Sequence, residues 1–419
     1  MLESLKNALK VSELRSKILF TLGMIFVFRL GAHIPVPGVN PDRFAELVSS
    51  GLIFGFFDVI SGGALKNFSV FAMGIMPYIN ASIIMQLLTV VIPHLERLAK
   101  EGDEGRKKIT QYTRYLTVVL AFIQGLGVVV GVKGSLLNPS IATYIMTAIT
   151  ITAGTTFLMW LGEQITEKGI GNGISLLIFA GIVSRVPQGM ARLVEYLNAG
   201  TINIFSILIL VVIGALVIAG VVAVQEGQRR IPVQYAKRVV GRRVYGGQTT
   251  HLPLRVNQAG VIPIIFASSL LMFPETIAKM FTNSPVALFY ARWFGWGTFI
   301  HTVLYALLII GFTYFYTAVI MNPADIADNI KKYGGFIPGL RPGRPTAEYI
   351  SRVMSKITLA GAIFLALIAI LPNFVLLATR IPNIYFGGTS LLIVVGVALD
   401  TMKQVESHLL MRSYQGFIK

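Results

Sequence analysis

Long apolar runs alternate along this chain with short segments that hold nearly all of its charge. Runs of about 20 apolar residues match the roughly 30 Å hydrocarbon core that a helix crosses at about 1.5 Å per residue. Ten spans are predicted, at roughly 18–36, 68–92, 115–132, 141–162, 172–194, 203–224, 258–281, 298–321, 354–371 and 384–402. The expected fold class is therefore all-α, a polytopic membrane protein of ten transmembrane helices. The segment up to Lys17 carries Lys6, Lys10, Arg15 and Lys17. It reads as a helix lying on the membrane surface ahead of the first span. No small-residue cleavage site follows it, so no cleaved signal peptide is expected.

One stretch breaks the pattern. The apolar piece Leu52–Ile60 is too short to span, reaching only about 13 Å as a helix. Asp58 and the Ser61-Gly62-Gly63 break interrupt it before the next full span begins at Phe68. Irregular backbone at membrane depth persists only inside protein or beside a water-filled cavity. The piece either folds back into such a cavity or lies as an amphipathic element on the surface. Its periodicity does not choose between these.

Charge then orients the spans. The chain has 36 Lys and Arg against 19 Asp and Glu, a net charge of +17. Of the 36 basic residues, 27 fall on the side that holds both termini and 9 on the other. By the positive-inside rule both termini are cytoplasmic, and 51–67 enters from outside. Five spans on each side of the short loop 195–203 suggest two halves, 1–194 and 204–402, joined by a hinge and followed by a tail at 403–419. Two cytoplasmic loops are long. In 226–257, β-branched, Tyr and Gly content predicts extended arms with Arg242 and Arg243 at a basic tip. In 322–352, Arg341 sits among turn residues. Basic loops hold anionic lipid by simple electrostatics. Two on one face also suit docking of a large acidic or nucleic-acid partner.

The chemistry of most enzymes is missing. There is no G-x-x-x-x-G-K-[ST] phosphate loop and no cysteine, and the five histidines are scattered without metal-ligand spacing. No catalytic activity, cofactor or metal is expected. Apart from Asp58, the carboxylates fall in loops or near span ends. An ion-coupled transporter normally carries one at the midplane. That weakens the alternative of a secondary transporter or channel for a small solute. Ile75, Ile79 and Ile83 recur at steps of four in the second span, as do Ile174, Ile178 and Ile182 in the fifth. Such stripes serve ordinary packing or an apolar constriction. Asn80 and Gln86 are the amides of the second span.

Several long motifs resemble one family. They include FRLGAHIPVPG at 28–38, SGGAL at 61–65, FAMGIMPYINASIIMQLLTVV at 71–91 and EGRKKITQYTRY at 104–115. FLMWLGEQITEKGIGNGISLLIFAGI at 157–182 and QYAKRVVGRRVYGGQTTHLPLRVNQAGVIPIIFASS at 234–269 follow. NPADIADNIKKYGGFIPGLRPGRPTAEYI at 322–350 and YFGGTSLLIVVGVALD at 385–400 complete the series. On these residues the chain resembles the SecY family, channel subunits of bacterial protein-translocation complexes. The resemblance implies two pseudo-symmetric halves around an hourglass pore in the bacterial inner membrane. It implies a plug at about 55–66, including Phe56, Phe57, Asp58, Ser61, Gly62 and Gly63. A pore ring would be formed by Ile75, Ile79, Ile174, Ile178, Ile265 and Ile393. Spans 2 and 7 would flank a lateral gate through which signal peptides and transmembrane helices reach lipid, while unfolded preproteins pass the pore. Arg242, Arg243 and Arg341 would dock the ribosome and the SecA ATPase. The small membrane subunits SecE and SecG are implied partners, beside anionic lipids.

Overall fold

The computed structural model describes residues 10–40, 58, 61–131, 133–235, 238–240, 243–245, 249–280, 285–295, 298–379 and 388–416. The helices are α1 (Ser12–Gly31), α2 (Met76–Val91), α3 (Pro93–Lys100), α4 (Asp103–Gly131), α5 (Ile141–Lys168), α6 (Gly173–Asn198) and α7 (Ile204–Glu226), followed by α8 (Ile262–Met280), α9 (Pro285–Phe294), α10 (Phe299–Ile320), α11 (Pro323–Lys332), α12 (Arg344–Thr379) and α13 (Gly388–Gly416). Each predicted span overlaps one of α1, α2, α4, α5, α6, α7, α8, α10, α12 and α13. Among the described residues, six helices are long and apolar enough to cross a membrane by themselves, or seven if the bent pair α2–α3 counts as one.

The boundaries differ from the hydropathy reading where polar residues continue a helix into water. α4 starts at Asp103, well before 115, with Asp103 and Glu104 favourably placed at its positive N-terminal end. α13 runs on to Gly416, and α12 begins at Arg344. Lys, Arg, Glu and Gln are good helix formers, so the end of the hydrocarbon does not end the helix. At the N-terminus the expected surface helix is corrected in part. Its last turns belong to α1, which starts at Ser12 and ends by Gly31, while residues 1–9 lie outside the described ones. The second span is corrected more strongly. The helix occupies only Met76–Val91, and 61–75 form successive turns. At Pro93, which cannot donate to the preceding turn, the chain bends by 100° into α3.

Burial sorts the helices. α7 is strongly apolar along its whole length, and only 11% of its most apolar stretch is buried. Phe205, Leu208 and Leu216 are exposed, as expected for a helix apolar on every face and solvated by lipid. α5 is the inner helix of its neighbours, with 56% of its most apolar stretch buried. The main core draws Phe28 from α1, Ile79 from α2, Leu158 from α5, Ile178 from α6, Ile265 from α8, Ile309 from α10, Leu365 from α12 and Ile393 from α13.

The extended arms predicted in 226–257 are present. β1 (Gln228–Tyr235) pairs antiparallel with β4 (Thr249–Arg255), from Gln228↔Arg255 to Gln234↔Thr249. At the tip, β2 (Arg238–Val240) pairs with β3 (Arg243–Tyr245). The two long loops are not separate features. β5 (Gly335–Phe336), from the second loop, adds to the free edge of β1 through Gln234↔Phe336 and Tyr235↔Gly335. Ile231, Val233 and Leu254 bury one face of this sheet against Ile330, Ile337, Ile350 and Met354. A small mixed unit of sheet and helix thus sits on an otherwise helical protein.

Two satellite clusters set opposite ends of the bundle. Leu14, Ile170 and Val405 bring the start of α1, the α5–α6 turn and the late part of α13 together. Val36, Val39, Leu65, Phe68, Val129 and Leu136 join the other ends of α1 and α4 to the turn segment. The segment fits beside α5 because residue 154 is glycine. A Cβ there would lie 2.0 Å from the Val70 carbonyl oxygen. Gly154→Ala is expected to lower stability by about 1–3 kcal/mol through overpacking, seen as earlier thermal unfolding of the detergent-solubilised protein. Gly214→Ala, which meets nothing within 4 Å, should leave the unfolding temperature where it is.

Candidate functional site

The site is built on the non-helical run 61–75. Its backbone groups bond mainly to one another. The Asn67 amide donates to the Gly63 carbonyl, Ser69 to Ala64, Ala72 to Ser69 and Gly74 to Phe71. The rest is supplied by the loop that follows α1. The Val36 amide donates to Phe68 O at 2.9 Å, and the Val70 amide to Ile34 O at 3.0 Å. Side chains from both faces are buried, including Ala64, Leu65, Phe68, Phe71 and Met73. Phe71 stacks between Phe28 of α1 and Phe157 of α5, with ring centroids 6.3 and 6.0 Å away.

At the start of this run lie the charges. Asp58 is buried, and both of its carboxylate oxygens are used. Oδ1 accepts from the Lys66 amide at 2.7 Å, and Oδ2 pairs with the Arg185 guanidinium on α6. Arg29 on α1 donates to the Gly62 carbonyl at 2.6 Å and to Ser184 Oγ at 3.0 Å. Ser184 Oγ in turn donates to Gly181 O at 2.7 Å. The paired glycines are needed here. Gly62 and Gly63 have φ of +67° and +93°, which side chains rarely adopt. A Cβ on Gly62 would also lie 2.8 Å from the Gly181 Cα, and one on Gly63 would lie 3.0 Å from the Arg185 guanidinium.

Of the predicted plug residues, Asp58, Ser61, Gly62 and Gly63 fall in this packed corner, while Phe56 and Phe57 lie outside the described residues. Arg29, Ser184 and Arg185 were not singled out from sequence. The signal was present: charges within apolar spans carry a function by default. In the sequence Arg29 and Arg185 count only among the nine basic residues opposite the termini, because Ser184 and Asp58, their respective partners, are far away along the chain.

The isoleucines meet at the centre. Ile79 (α2), Ile178 (α6), Ile265 (α8) and Ile393 (α13) line one internal gap, too small for more than a single water molecule. Met76, Ile264, Ser268 and Thr389 complete its wall, and none of these lining residues is charged. Ile75, buried in the same core, caps the start of α2. Ile174 is only partly buried and turns toward Gly162 of α5 rather than into the gap. α8 packs on both α2 and α4, and Ser269 Oγ donates to Met76 Sδ at 3.8 Å across the α2–α8 seam. Of the α2 amides, Asn80 is half-buried, while Gln86 donates to Ser82 Oγ at 3.4 Å and keeps its buried Oε1 unpartnered.

The basic loops stand apart from this centre. Arg341 is exposed, and its carbonyl accepts from Thr346 Oγ1 at 2.8 Å, which fixes the turn entering α12. Arg243 belongs to β3. Arg242 lies outside the described residues.

Comparison with known proteins bears on this arrangement. The SecY family model matches residues 69–402. The protein translocase subunit SecY of Halalkalibacterium halodurans is 53% identical, and that of Aquifex aeolicus 46%, each with 100% of both chains covered. Among solved structures, a SecY channel whose plug domain stabilises the closed state and maintains a membrane seal matches with a TM-score of 0.67. It is 20% identical and the match covers 94% of this chain and 92% of that one. Sec61 in the canine ribosome-channel complex from the endoplasmic reticulum matches with a TM-score of 0.65 at 19% identity, over 94% and 92% of the two chains. The match spans the helices that carry the gap, the sheet and the basic loops, and the chain belongs to the SecY family.

Proposed function

We propose that the chain is the channel subunit of a bacterial protein translocase, passing unfolded polypeptides across the membrane and releasing apolar helices sideways into lipid. The observation that carries this reading is the central gap. Helices far apart in sequence each contribute an isoleucine to one nearly dry constriction. Branched aliphatic side chains fit around a peptide of any sequence, make no hydrogen bonds to hold it, and disfavour water and ions when the gap is empty. Ile75 and Ile174 complete the ring in this reading as residues that join it when the gap widens. The lining carries no charge and only the hydroxyls of Ser268 and Thr389, which weighs against an ion-coupled transporter with a carboxylate at that depth.

The segment at about 55–66 is the plug, seated on the outer side of the gap. The α2–α8 seam is the lateral gate, closed by apolar packing that a signal peptide, itself an apolar helix, can replace. Residues 1–194 and 204–402 act as halves about the loop 195–203. The tail 403–419 and both termini are cytoplasmic, as the distribution of Lys and Arg supports. The shared sheet, the exposed Arg341 and the basic residues Arg242 and Arg243 form the docking face for the ribosome and the SecA ATPase. SecE and SecG cover lipid-facing helices, and the inner membrane supplies anionic lipid. The energy for transport comes from these partners, since the channel itself performs no catalysis.

A photoreactive residue replacing Ile79 should crosslink to the mature part of a precursor arrested in transit, and the crosslink should vanish when the signal sequence is disabled. An engaged precursor that gives no crosslink would refute the channel assignment. Deleting 55–66 should raise resting ion conductance in a planar bilayer by tenfold or more, about 1.4 kcal/mol of closed-state preference; an unchanged conductance would count against a plug. Arg341→Glu should slow motor-driven export roughly fivefold to tenfold, about 1–1.4 kcal/mol, while thermal unfolding stays the same.

A further inference from the structure

We propose that Arg29 and Arg185 are positioning residues that latch the plug in one register, with Asp58 as the counter-charge; this rests on the plug assignment above. The observations are geometric. Two contacts that involve charge hold Asp58 and the turn beginning at Ser61 to α6 and α1, and a guanidinium lies beside the turn. Arg29 donates to the Gly62 carbonyl, Arg185 pairs with Asp58, and the Arg185 guanidinium also faces Gly63. The two arginines sit close enough to repel one another, and Arg192 further along α6 adds to the positive field at Arg185. Among the described groups, Asp58 is the carboxylate that pairs with Arg185 in this positive field. The Asp58 and Arg185 side chains are only 11% and 12% exposed, so solvent screens the pair poorly.

The contacts divide into a cradle and a clasp. The Arg29–Ser184–Gly181 chain of hydrogen bonds ties α1 to α6 through groups that lie outside the turn. The Gly62 carbonyl and the Asp58 carboxylate are the groups that leave. If the turn moves away into a water-filled cavity, Asp58 and the two guanidinium groups exchange protein partners for water. The clasp is thus reversible, unlike the aromatic packing at Phe71. It is also directional. A one-residue shift that brought Ser61 to the Gly62 position would place a Cβ against Gly181, while separating Asp58 from Arg185.

The absence of cysteine provides the test. Ala64 is fully buried in the turn, and Ala64→Cys adds one sulfur to a background free of thiols. In the full chain in proteoliposomes, with its small membrane subunits, the labelling rate of this cysteine by a membrane-impermeant maleimide reports how often the turn leaves its seat. Asp58→Asn and Arg185→Gln should each raise that rate tenfold or more, together with resting ion conductance. Arg185→Lys should restore most of the protection, and the exchanged pair Asp58→Arg with Arg185→Asp should label more slowly than either single reversal. Arg192→Gln, which removes charge but no contact with the turn, should label no faster than the parent.

A parent-like rate in both Asp58→Asn and Arg185→Gln overturns the latch. So does fast labelling that Arg185→Lys and the exchanged pair fail to reduce, because that would mark a general loss of packing. Deletion of 55–66 separates the two proposals. If deletion raises conductance but the single variants do not, the plug stands and the latch falls; if deletion changes nothing, the plug assignment itself fails.

Discussion

Backbone polar groups that leave a helix inside an apolar slab must find partners in protein, and that demand shapes this molecule. Residues 61–75 meet it by bonding among themselves and to the loop after α1. Much else follows. α2 is short because its first turns are spent on this segment. Gly154 is a glycine because α5 must pass close beside the Val70 carbonyl. The aromatic stack of Phe28, Phe71 and Phe157 seals the segment laterally. With the run so satisfied, its far end can meet the charged groups of α1 and α6.

Two kinds of force hold this region, and they do different work. Burying Phe68 or Phe71 contributes roughly 1.5–3 kcal/mol each, with little preference among nearby positions. The Asp58–Arg185 pair adds little net stability after desolvation, but removing one partner typically costs about 3–5 kcal/mol because the other is left buried and uncompensated. Apolar packing therefore decides that the segment is inside, and the charges decide where. That division suits a part that must return to the same seat after each displacement.

Legibility from sequence followed the range of each interaction. α7 was plain, because it is apolar on all sides and lipid is its only environment. The β1–β4 arms were also readable from β-branched and turn residues. What hydropathy missed were features set by contacts between distant residues. It could not see that 68–75 would be turns, since Phe68, Phe71 and Ile75 are as apolar as any helix. It could not join β5 to β1, which lie in different loops. The isoleucine stripes were visible at steps of four, but a stripe has the same form whether it faces lipid, core or pore. Their convergence depends on Ile265 and Ile393, which have no stripe of their own. Arg29 and Arg185 were visible as charges, but their partners were not, because Ser184 lies far from Arg29 and Asp58 far from Arg185 along the chain.

The gap at the centre has one further property. Its five isoleucines come from α2, α6, α8 and α13, so no single helix owns it. Dilation needs backbone displacement between helices, and one of the boundaries crossed by that displacement is the α2–α8 seam. Bore and side opening are therefore mechanically coupled degrees of freedom. With that seam as the proposed lateral gate, each increase in the thickness of what passes through would loosen the wall through which it could escape. A segment's fate is then set at every instant by competition between forward motion and the pull of the lipid on its apolar surface.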